Sequence, residues 1–257
     1  MSSGFLDGLN VLVTRPQPQA DKLARHLSKL GAEPVVMPMV EIEPIYTQSS
    51  LPPDSPLSDI SQFDKVVVVS IPSAEQTFSL KPANANSADW FTPGLSTAKA
   101  LSRFGIEASC PETAFTSEAL LALPALQNIA GQRILLLKGE GGRDLLENEL
   151  TIRGGKVSSL ELYRRVCPKY ASGELEQTVA TRKIGAIVAT SSQIVTHLLH
   201  NMKSENTGDL LYNVPLLVPS ARVADYARTQ GFQNVIICES AGNQDISNAL
   251  LQLVKQE

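Results

Sequence analysis

The stretch "VLVTRPQPQADKLARHLSKLGAEP" at residues 11–34 returns without a gap as "ILLLKGEGGRDLLENELTIRGGKV" at residues 134–157. In both copies an apolar run ends at a basic residue and a Pro- or Gly-rich turn follows. Leucines at helical spacing then run to a glycine. Each copy therefore predicts a strand, a loop and a helix. The matched positions include Leu12 with Leu135, Asp21 with Asp144, Leu23 with Leu146, Leu27 with Leu150, and Gly31 with Gly154.

The similarity extends beyond this first unit. Residues 64–78, "DKVVVVSIPSAEQTF", resemble residues 185–199, "GAIVATSSQIVTHLL", and residues 96–123 resemble residues 221–253 in their helix, glycine, strand and helix order. A repeat of about half the chain length indicates two related modules. Alternating strands and helices predict an α/β fold with mainly parallel sheets that carry helices on both faces.

Two extended stretches lie between the repeated units, "VMPMVEIEPI" at residues 36–45 and "SSLELYRRVCP" at residues 158–168. Both alternate with period two and both contain prolines near an end, which is typical of exposed strands where the chain leaves one body for another. We therefore interpret them as linkers. The repeat itself is compatible with a plain tandem division near residue 127 and with a division in which one module is inserted into the other.

Composition excludes several classes of protein. The chain has 257 residues, of which 43% are apolar and 19% charged, and a formal net charge of −4, which gives no general attraction for nucleic acid or an anionic membrane. Its start shows no secretory signal, and no apolar run approaches the length that spans a bilayer, so we expect a cytoplasmic protein. The cysteines lie far apart, at Cys110, Cys167 and Cys238, which argues against a disulfide framework or a thiolate metal site.

Hydroxyl and basic residues recur where the predicted strands end. In parallel α/β sheets this edge binds ligands, because loops and helix amino termini present backbone N–H groups there. A cleft between two such edges would suit an anion with several carboxylates or phosphates. The predicted substrate-binding residues are Arg15, Ser70, Lys138, Gly139, Thr190, Ser191, Ser220 and Arg222.

Simpler interpretations stand beside this one. A Ser or Thr before a helix is more often a plain N-cap than a ligand contact, and a basic residue at a strand end is commonly solvated. His197 and His200 are three apart on a predicted helix, but they lack a third ligand at a telling spacing, so no metal is predicted. The chain has neither a phosphate-binding GxxxxGK nor a GxGxxG sequence, and nothing resembles a Ser-His-Asp triad.

Tyr163 lies in the second predicted linker, within "LELYRRV". A chain segment that crosses between modules would pass beside the cleft, where a phenol could donate a hydrogen bond to a leaving oxygen. The equally weighted alternative is an aromatic side chain that packs against the edge of a domain.

Several stretches follow one another in a distinctive order along the chain. They are "VLVTRP", "VEIEP", "GRDLLENELTIRGGKV" with "ELYRRV", "IVATSS", "VPSARVADYARTQGF" and "ESAGNQDISNALL". In their order and spacing they resemble the uroporphyrinogen-III synthase family over essentially the whole chain. The resemblance implies two α/β domains joined by a two-stranded linker ladder with a cleft between them. It places residues 1–38 with 169–257 in a discontinuous domain, residues 46–158 in an inserted domain, and residues 39–45 and 159–168 in the linker strands.

The same resemblance implies a carbon-oxygen lyase without a cofactor or metal. Such an enzyme takes hydroxymethylbilane, a linear tetrapyrrole, releases its hydroxyl as water, and closes the macrocycle to uroporphyrinogen III with the fourth ring inverted. Tyr163 matches the family tyrosine that assists departure of the hydroxyl. A monomer is expected, with at most a transient contact to the preceding enzyme of heme biosynthesis.

A different class of protein also fits the residues. Two modules that close by hinge motion on a small anion would form a binding protein without catalysis, with the same cleft and no obvious catalytic groups. The cytoplasmic start and the position of Tyr163 favour the synthase. Loss of turnover without loss of binding in a cleft variant would identify an enzyme.

Overall fold

The computed structural model describes residues 5–142, 144–202 and 208–255. The chain forms two compact units: unit 1 comprises residues 1–41 and 166–257, and unit 2 comprises residues 42–165. The changes of unit, after residues 41 and 165, fall inside the two segments predicted to be linkers. None of the helices in the described ranges is long and apolar enough to cross a membrane.

Short apolar runs form the strands, because β-branched and leucine side chains fit a pleated surface that is covered on both faces. In chain order the strands are β1 (Asn10–Val13), β2 (Glu33–Val36), β3 (Glu41–Pro44), β4 (Lys65–Val68), β5 (Asp89–Phe91), β6 (Ala108–Ser109), β7 (Arg133–Gly139), β8 (Lys156–Val166), β9 (Ala186–Val188), β10 (Leu216–Val218) and β11 (Val235–Ile237).

The helices follow amphipathic stretches between these strands. In chain order they are α1 (Gln19–Ser28), α2 (Ile71–Ser79), α3 (Leu95–Ser102), α4 (Ser117–Leu121), α5 (Leu145–Ile152), α6 (Glu174–Thr181), α7 (Ser192–Asn201), α8 (Gly208–Asn213), α9 (Ala221–Thr229) and α10 (Asn243–Val254).

Each unit is built around one sheet. In unit 1 the strand order is β11-β10-β9-β1-β2, and the pairs are parallel. In unit 2 the order is β3-β8-β7-β4-β5-β6, and the pairs from β8 to β6 are parallel. These two helix-flanked sheets confirm the predicted α/β fold class.

Apolar side chains cover both faces of each sheet. In β1, Leu12 packs into one cluster with α6, α7 and α9, whereas its neighbours Val11 and Val13 pack against α1 and α10 on the other face. In β7, Leu135 faces a cluster with α2 and α3, and Leu136 faces α4 and α5. Burial on both faces explains why these strands are continuous apolar runs rather than alternating ones.

The two sheets have the same strand order once a circular shift is allowed. β1 and β2 of unit 1 occupy the places of β7 and β8 in unit 2, and β9, β10 and β11 occupy the places of β4, β5 and β6. The direction of strand addition reverses between β1 and β9 in unit 1 and between β4 and β7 in unit 2. We call these two places the switch points, since ligands of open α/β sheets bind there, at the carboxyl ends of the strands.

The second predicted linker is not a separate short strand. Residues 158–166 are the continuation of β8, which begins at Lys156 and is paired with β7 from Arg133 to Gly139. β3 is the neighbour of β8 at the edge of the same sheet, and the Ile45 N–H donates to the Leu162 carbonyl at 3.0 Å. Ladder hydrogen bonds to β7 make β8 part of the unit 2 sheet, which a reading of alternation alone does not reveal. The role of β3 and β8 in joining the units stays a prediction.

Candidate functional site

Most of the predicted site residues lie at the carboxyl ends of strands or just beyond them, in both units. In unit 1, Arg15 follows β1, Thr190 and Ser191 follow β9, and Ser220 and Arg222 follow β10. These three strands are adjacent in the sheet, so the five residues share one sheet edge. In unit 2, Ser70 follows β4, while Lys138 and Gly139 end β7 and Tyr163 lies in β8.

A cavity of about 250 Å³ opens at the switch point of unit 2. It brings together four of the predicted residues, Ser70, Lys138, Gly139 and Tyr163, and we call it the unit 2 cavity. Arg165, which was not among the predicted site residues, also lines it. The remaining lining residues are Val69, Ser117, Leu136, Gly142 and Leu146.

A bulge in β8 places Tyr163 in this cavity. Lys138 pairs with Glu161 and the next residue, Gly139, pairs with Tyr163, so Leu162 is the extra residue in the ladder. Leu162 and Tyr163 are consecutive, yet both side chains are buried, with exposures of 0% and 1%. Bulges redirect side chains in this way.

Gly139 provides the space for the Tyr163 ring. A Cβ atom at position 139 would lie 2.7 Å from Tyr163 Cε2 and 2.8 Å from the phenol oxygen, which real Cβ atoms essentially never do. The N–H of the next residue, Glu140, donates to the Tyr163 carbonyl at 2.8 Å and fixes the two strands at this place. The glycine is therefore a requirement of the close approach of the aromatic ring.

The Tyr163 phenol lies in a short chain of hydroxyl groups. Its oxygen is 3.1 Å from Ser70 Oγ, which is 2.9 Å from Ser73 Oγ. Arg165 Nη2 donates to the phenol oxygen at 3.0 Å. Ser70 is also the N-cap of α2, since its Oγ accepts from the Ser73 N–H at 3.2 Å. The same Ser70 oxygen therefore caps the helix and contacts the tyrosine.

Lys138 is neutralised by two carboxylates. Its Nζ lies 3.2 Å from Glu147 Oε2 and 3.5 Å from Asp144 Oδ1, and the residue is 9% exposed. Burial by itself lowers the pKa of Lys138, but the two carboxylates outweigh it and raise the pKa. The pKa of Glu147 is lowered, first by a hydrogen bond from Ser159 and then by Lys138. The repeat alignment matches Asp144 with Asp21, but it gives no sign of Glu147, which aligns with Ala24.

Arg15 is the residue of unit 1 that the repeat aligns with Lys138, and it has a different environment. Its Nη1 donates to Asn243 Oδ1 at 3.0 Å, so the partner is a neutral amide at the start of α10. Partial burial lowers the pKa of Arg15, although a guanidinium stays charged. The charge of Arg15 is therefore less compensated than that of Lys138.

The remaining predicted residues of unit 1 lie at helix starts. Ser191 caps α7, with its Oγ accepting from the Ile194 N–H at 3.2 Å, and Thr190 precedes it half-buried. Ser220 holds the N-cap position of α9 without a capping hydrogen bond from its side chain, and Arg222 is exposed in the first turn. Both helices are at least nine residues long and direct N–H groups to this edge of the sheet.

Arg165 could have been found from the sequence by its period. It lies two residues after Tyr163 in a strand, and side chains two apart project from the same face.

Within the described ranges, no group of three or more His, Cys, Asp or Glu side chains is arranged to hold a metal ion.

Comparison with known proteins gives a consistent result. The family model described as "Uroporphyrinogen-III synthase HemD" matches residues 21–248. The uroporphyrinogen-III synthase of Escherichia coli (strain K12) is 31% identical over 94% of this chain and 100% of its own, and that of Salmonella typhimurium is 32% identical with the same coverage.

Solved structures show the same fold. A mutant uroporphyrinogen III synthase from the extremely thermophilic bacterium Thermus thermophilus superposes with a TM-score of 0.57 at 19% identity, covering 97% of this chain and 100% of that one. A uroporphyrinogen-III synthetase from Helicobacter pylori 26695 gives the same TM-score at 14% identity, covering 96% and 98%.

Proposed function

This chain belongs to the uroporphyrinogen-III synthase family, and from that premise we propose a carbon-oxygen lyase that closes hydroxymethylbilane to uroporphyrinogen III, with release of water and inversion of the fourth ring. The observation that carries the proposal is the Tyr163 phenol, held by Ser70 and Arg165 in the cavity at the switch point of unit 2. That is the edge at which α/β sheets bind their ligands.

The reaction does not require a strong catalytic acid. The hydroxyl of the substrate's hydroxymethyl group leaves with assistance from the pyrrole nitrogen, so the phenol of Tyr163 needs only to donate a proton to the departing oxygen. Substrate and products have the same oxidation level, which is why the proposal includes no redox cofactor. The larger task is to hold the linear chain in a nearly closed conformation and to exclude water.

The substrate carries several carboxylates, and the sheet edges of both units present groups that bind them. Backbone N–H groups at the starts of α2, α7 and α9 favour negative charge, so the identity of a side chain matters less than the helix start. The proposed substrate-binding residues are Arg15, Ser70, Lys138, Gly139, Thr190, Ser191, Ser220 and Arg222. The sequence also predicts that the protein is a cytoplasmic monomer with at most a transient contact to the preceding enzyme, and this stays a prediction.

The test is a product assay without any added cofactor. Freshly generated hydroxymethylbilane is incubated with the purified protein, and the oxidised products are separated into type I and type III isomers. We expect type III in excess over the type I product that forms without an enzyme. Type I alone from a folded sample would contradict the proposal and support the alternative, a binding protein for small anions. Membership of the synthase family argues against that alternative.

A further inference from the structure

The Arg165 guanidinium contacts both the hydroxyl group and the ring of Tyr163. Its Nη2 lies 3.0 Å from the phenol oxygen and its guanidinium carbon lies 5.4 Å from the ring centroid. Arg165 is exposed, whereas the tyrosine beneath it is 1% exposed. The guanidinium therefore covers the phenol from the solvent side of the unit 2 cavity.

The donors and acceptors around this oxygen have a definite arrangement. A guanidinium can only donate, so the phenol oxygen accepts from Arg165 and keeps its own proton for another acceptor. Ser70 Oγ is the other neighbour, and it already accepts from the Ser73 N–H. The phenol proton is thus directed toward Ser70 or toward a ligand in the cavity, and away from Arg165.

We propose that Arg165 is a positioning residue for the reaction, which acts through Tyr163 by orienting its proton and stabilising the phenolate. The inference rests on the proposed function. When the bond between carbon and the hydroxyl oxygen breaks, the electron pair leaves with the oxygen, and Tyr163 gives it a proton to make water. The phenolate then faces the guanidinium, and it regains a proton from the ring carbon that must lose one as the macrocycle closes.

Among the residues that the structure describes, the two other cations near the phenol do not fit this role. Lys138 lines the same cavity, but its charge is balanced by Glu147 and Asp144. Arg164 is the neighbour of Arg165 in β8, and its Nε lies 3.9 Å from Glu43 Oε2, so it is engaged elsewhere. Charge-assisted hydrogen bonds are about twice as strong as neutral ones, which favours a guanidinium that contacts the oxygen directly.

Arg164→Gln is a matched control, because both arginines are exposed residues of one strand. The experiment measures formation of the type III isomer by Arg165→Gln, Arg165→Lys and Arg164→Gln, each in the parent chain and in a Tyr163→Phe chain. We expect Arg165→Gln to lower kcat about tenfold with little change in KM. Arg165→Lys keeps the charge and should retain part of kcat, and Arg164→Gln should stay near the parent value.

The decisive result comes from the Tyr163→Phe background. There the phenol is absent, so Arg165→Gln should cause no further fall in kcat. A tenfold fall in both backgrounds, or a rise in KM with kcat unchanged, would overturn the proposal and indicate direct binding of substrate. Equal kcat values for Arg165→Gln and Arg164→Gln would also overturn it. A parent protein that forms type I alone would instead contradict the proposed function, so the two failures are distinguishable.

Discussion

The two switch points have the same order of strands and different side chains. In unit 1, Thr14 is fully buried between β1 and β9 and donates to the Val188 carbonyl. Met39, whose N–H donates to the Thr14 carbonyl at 2.9 Å, is also fully buried. In unit 2 the corresponding place holds the cavity with Tyr163. One strand order thus carries a buried threonine hydroxyl at the switch point of unit 1 and a buried phenol at that of unit 2, because chemistry depends on the side chains that the fold carries.

The largest effect should come from filling the space beside Gly139 that the Tyr163 ring occupies in unit 2. Gly139→Ala would place a Cβ against the Tyr163 ring, and Ser70 and Arg165 restrain that ring. We expect the free energy of unfolding to fall by about 2 kcal/mol, as overpacking typically costs, and kcat to fall at least to that of Tyr163→Phe. Urea unfolding and the isomer assay measure the two effects.

Gly142→Ala is the control for that variant. Gly142 lines the same cavity, but among the described residues a Cβ there would meet the Gly139 carbonyl oxygen alone, at 3.6 Å, which is an ordinary contact. It should keep parent stability. Parent-like stability and activity in Gly139→Ala would mean that the tyrosine ring moves aside freely, and the contrast between the switch points would lose its structural basis.

The second prediction separates the two aligned cations. Arg15 has a neutral partner and Lys138 has two carboxylates, so Arg15 has more charge left to attract an anionic substrate. We expect Arg15→Gln to raise KM about tenfold and Lys138→Gln to raise it less than about threefold. Steady-state kinetics of the two variants give the comparison. A larger rise for Lys138→Gln would reverse the assignment.

The third prediction uses a matched pair of helix caps. Ser70 and Ser191 have nearly identical backbone angles, and each Oγ accepts one N–H at 3.2 Å. Replacement of either by Ala should lower the free energy of unfolding by about 1 kcal/mol. Ser70 also contacts Tyr163, so Ser70→Ala should lower kcat more than Ser191→Ala does. Equal kcat values would mean that the contact with the tyrosine has no catalytic consequence.

The repeat predicted the local units well, because strand, loop and helix follow from short-range pattern. The repeat could not determine which of the repeated strands pair with one another in the same sheet. β1 pairs with β9, far along the chain, and β7 pairs with β4, which precedes it. That choice depends on long-range packing of apolar faces, and an alignment of residues 11–34 with 134–157 is the same for either partition.

Four of the predicted residues line the unit 2 cavity, but the sequence did not reveal how they pair. The bulge at Leu162 breaks the period of two, so alternation alone assigns Tyr163 to the wrong face. The ion pair between Lys138 and Glu147 joins a strand to the following helix, through a part of the repeat in which the two copies differ. Partners of this kind arise from three-dimensional proximity, which no single-sequence pattern encodes.

The smallest effect concerns the pH dependence of that ion pair. The pKa of Glu147 is lowered in the folded chain, first by Ser159 and then by Lys138, from its ordinary value of 4.5. Its contribution to stability is therefore present above that value and is lost as the pH falls through the lower, folded pKa. Glu147→Gln should lower the free energy of unfolding by about 0.5 kcal/mol at neutral pH, with a difference that shrinks below about pH 4.5.

Unit 1 supplies the control, because the partner of Arg15 does not titrate. Asn243→Ala removes an amide acceptor, so its effect on urea unfolding should stay constant between about pH 7 and about pH 4, while that of Glu147→Gln declines. If both effects declined together, a general change of the folded state with pH would explain them. The contrast between a charged pair in unit 2 and a neutral partner in unit 1 would then have no energetic consequence.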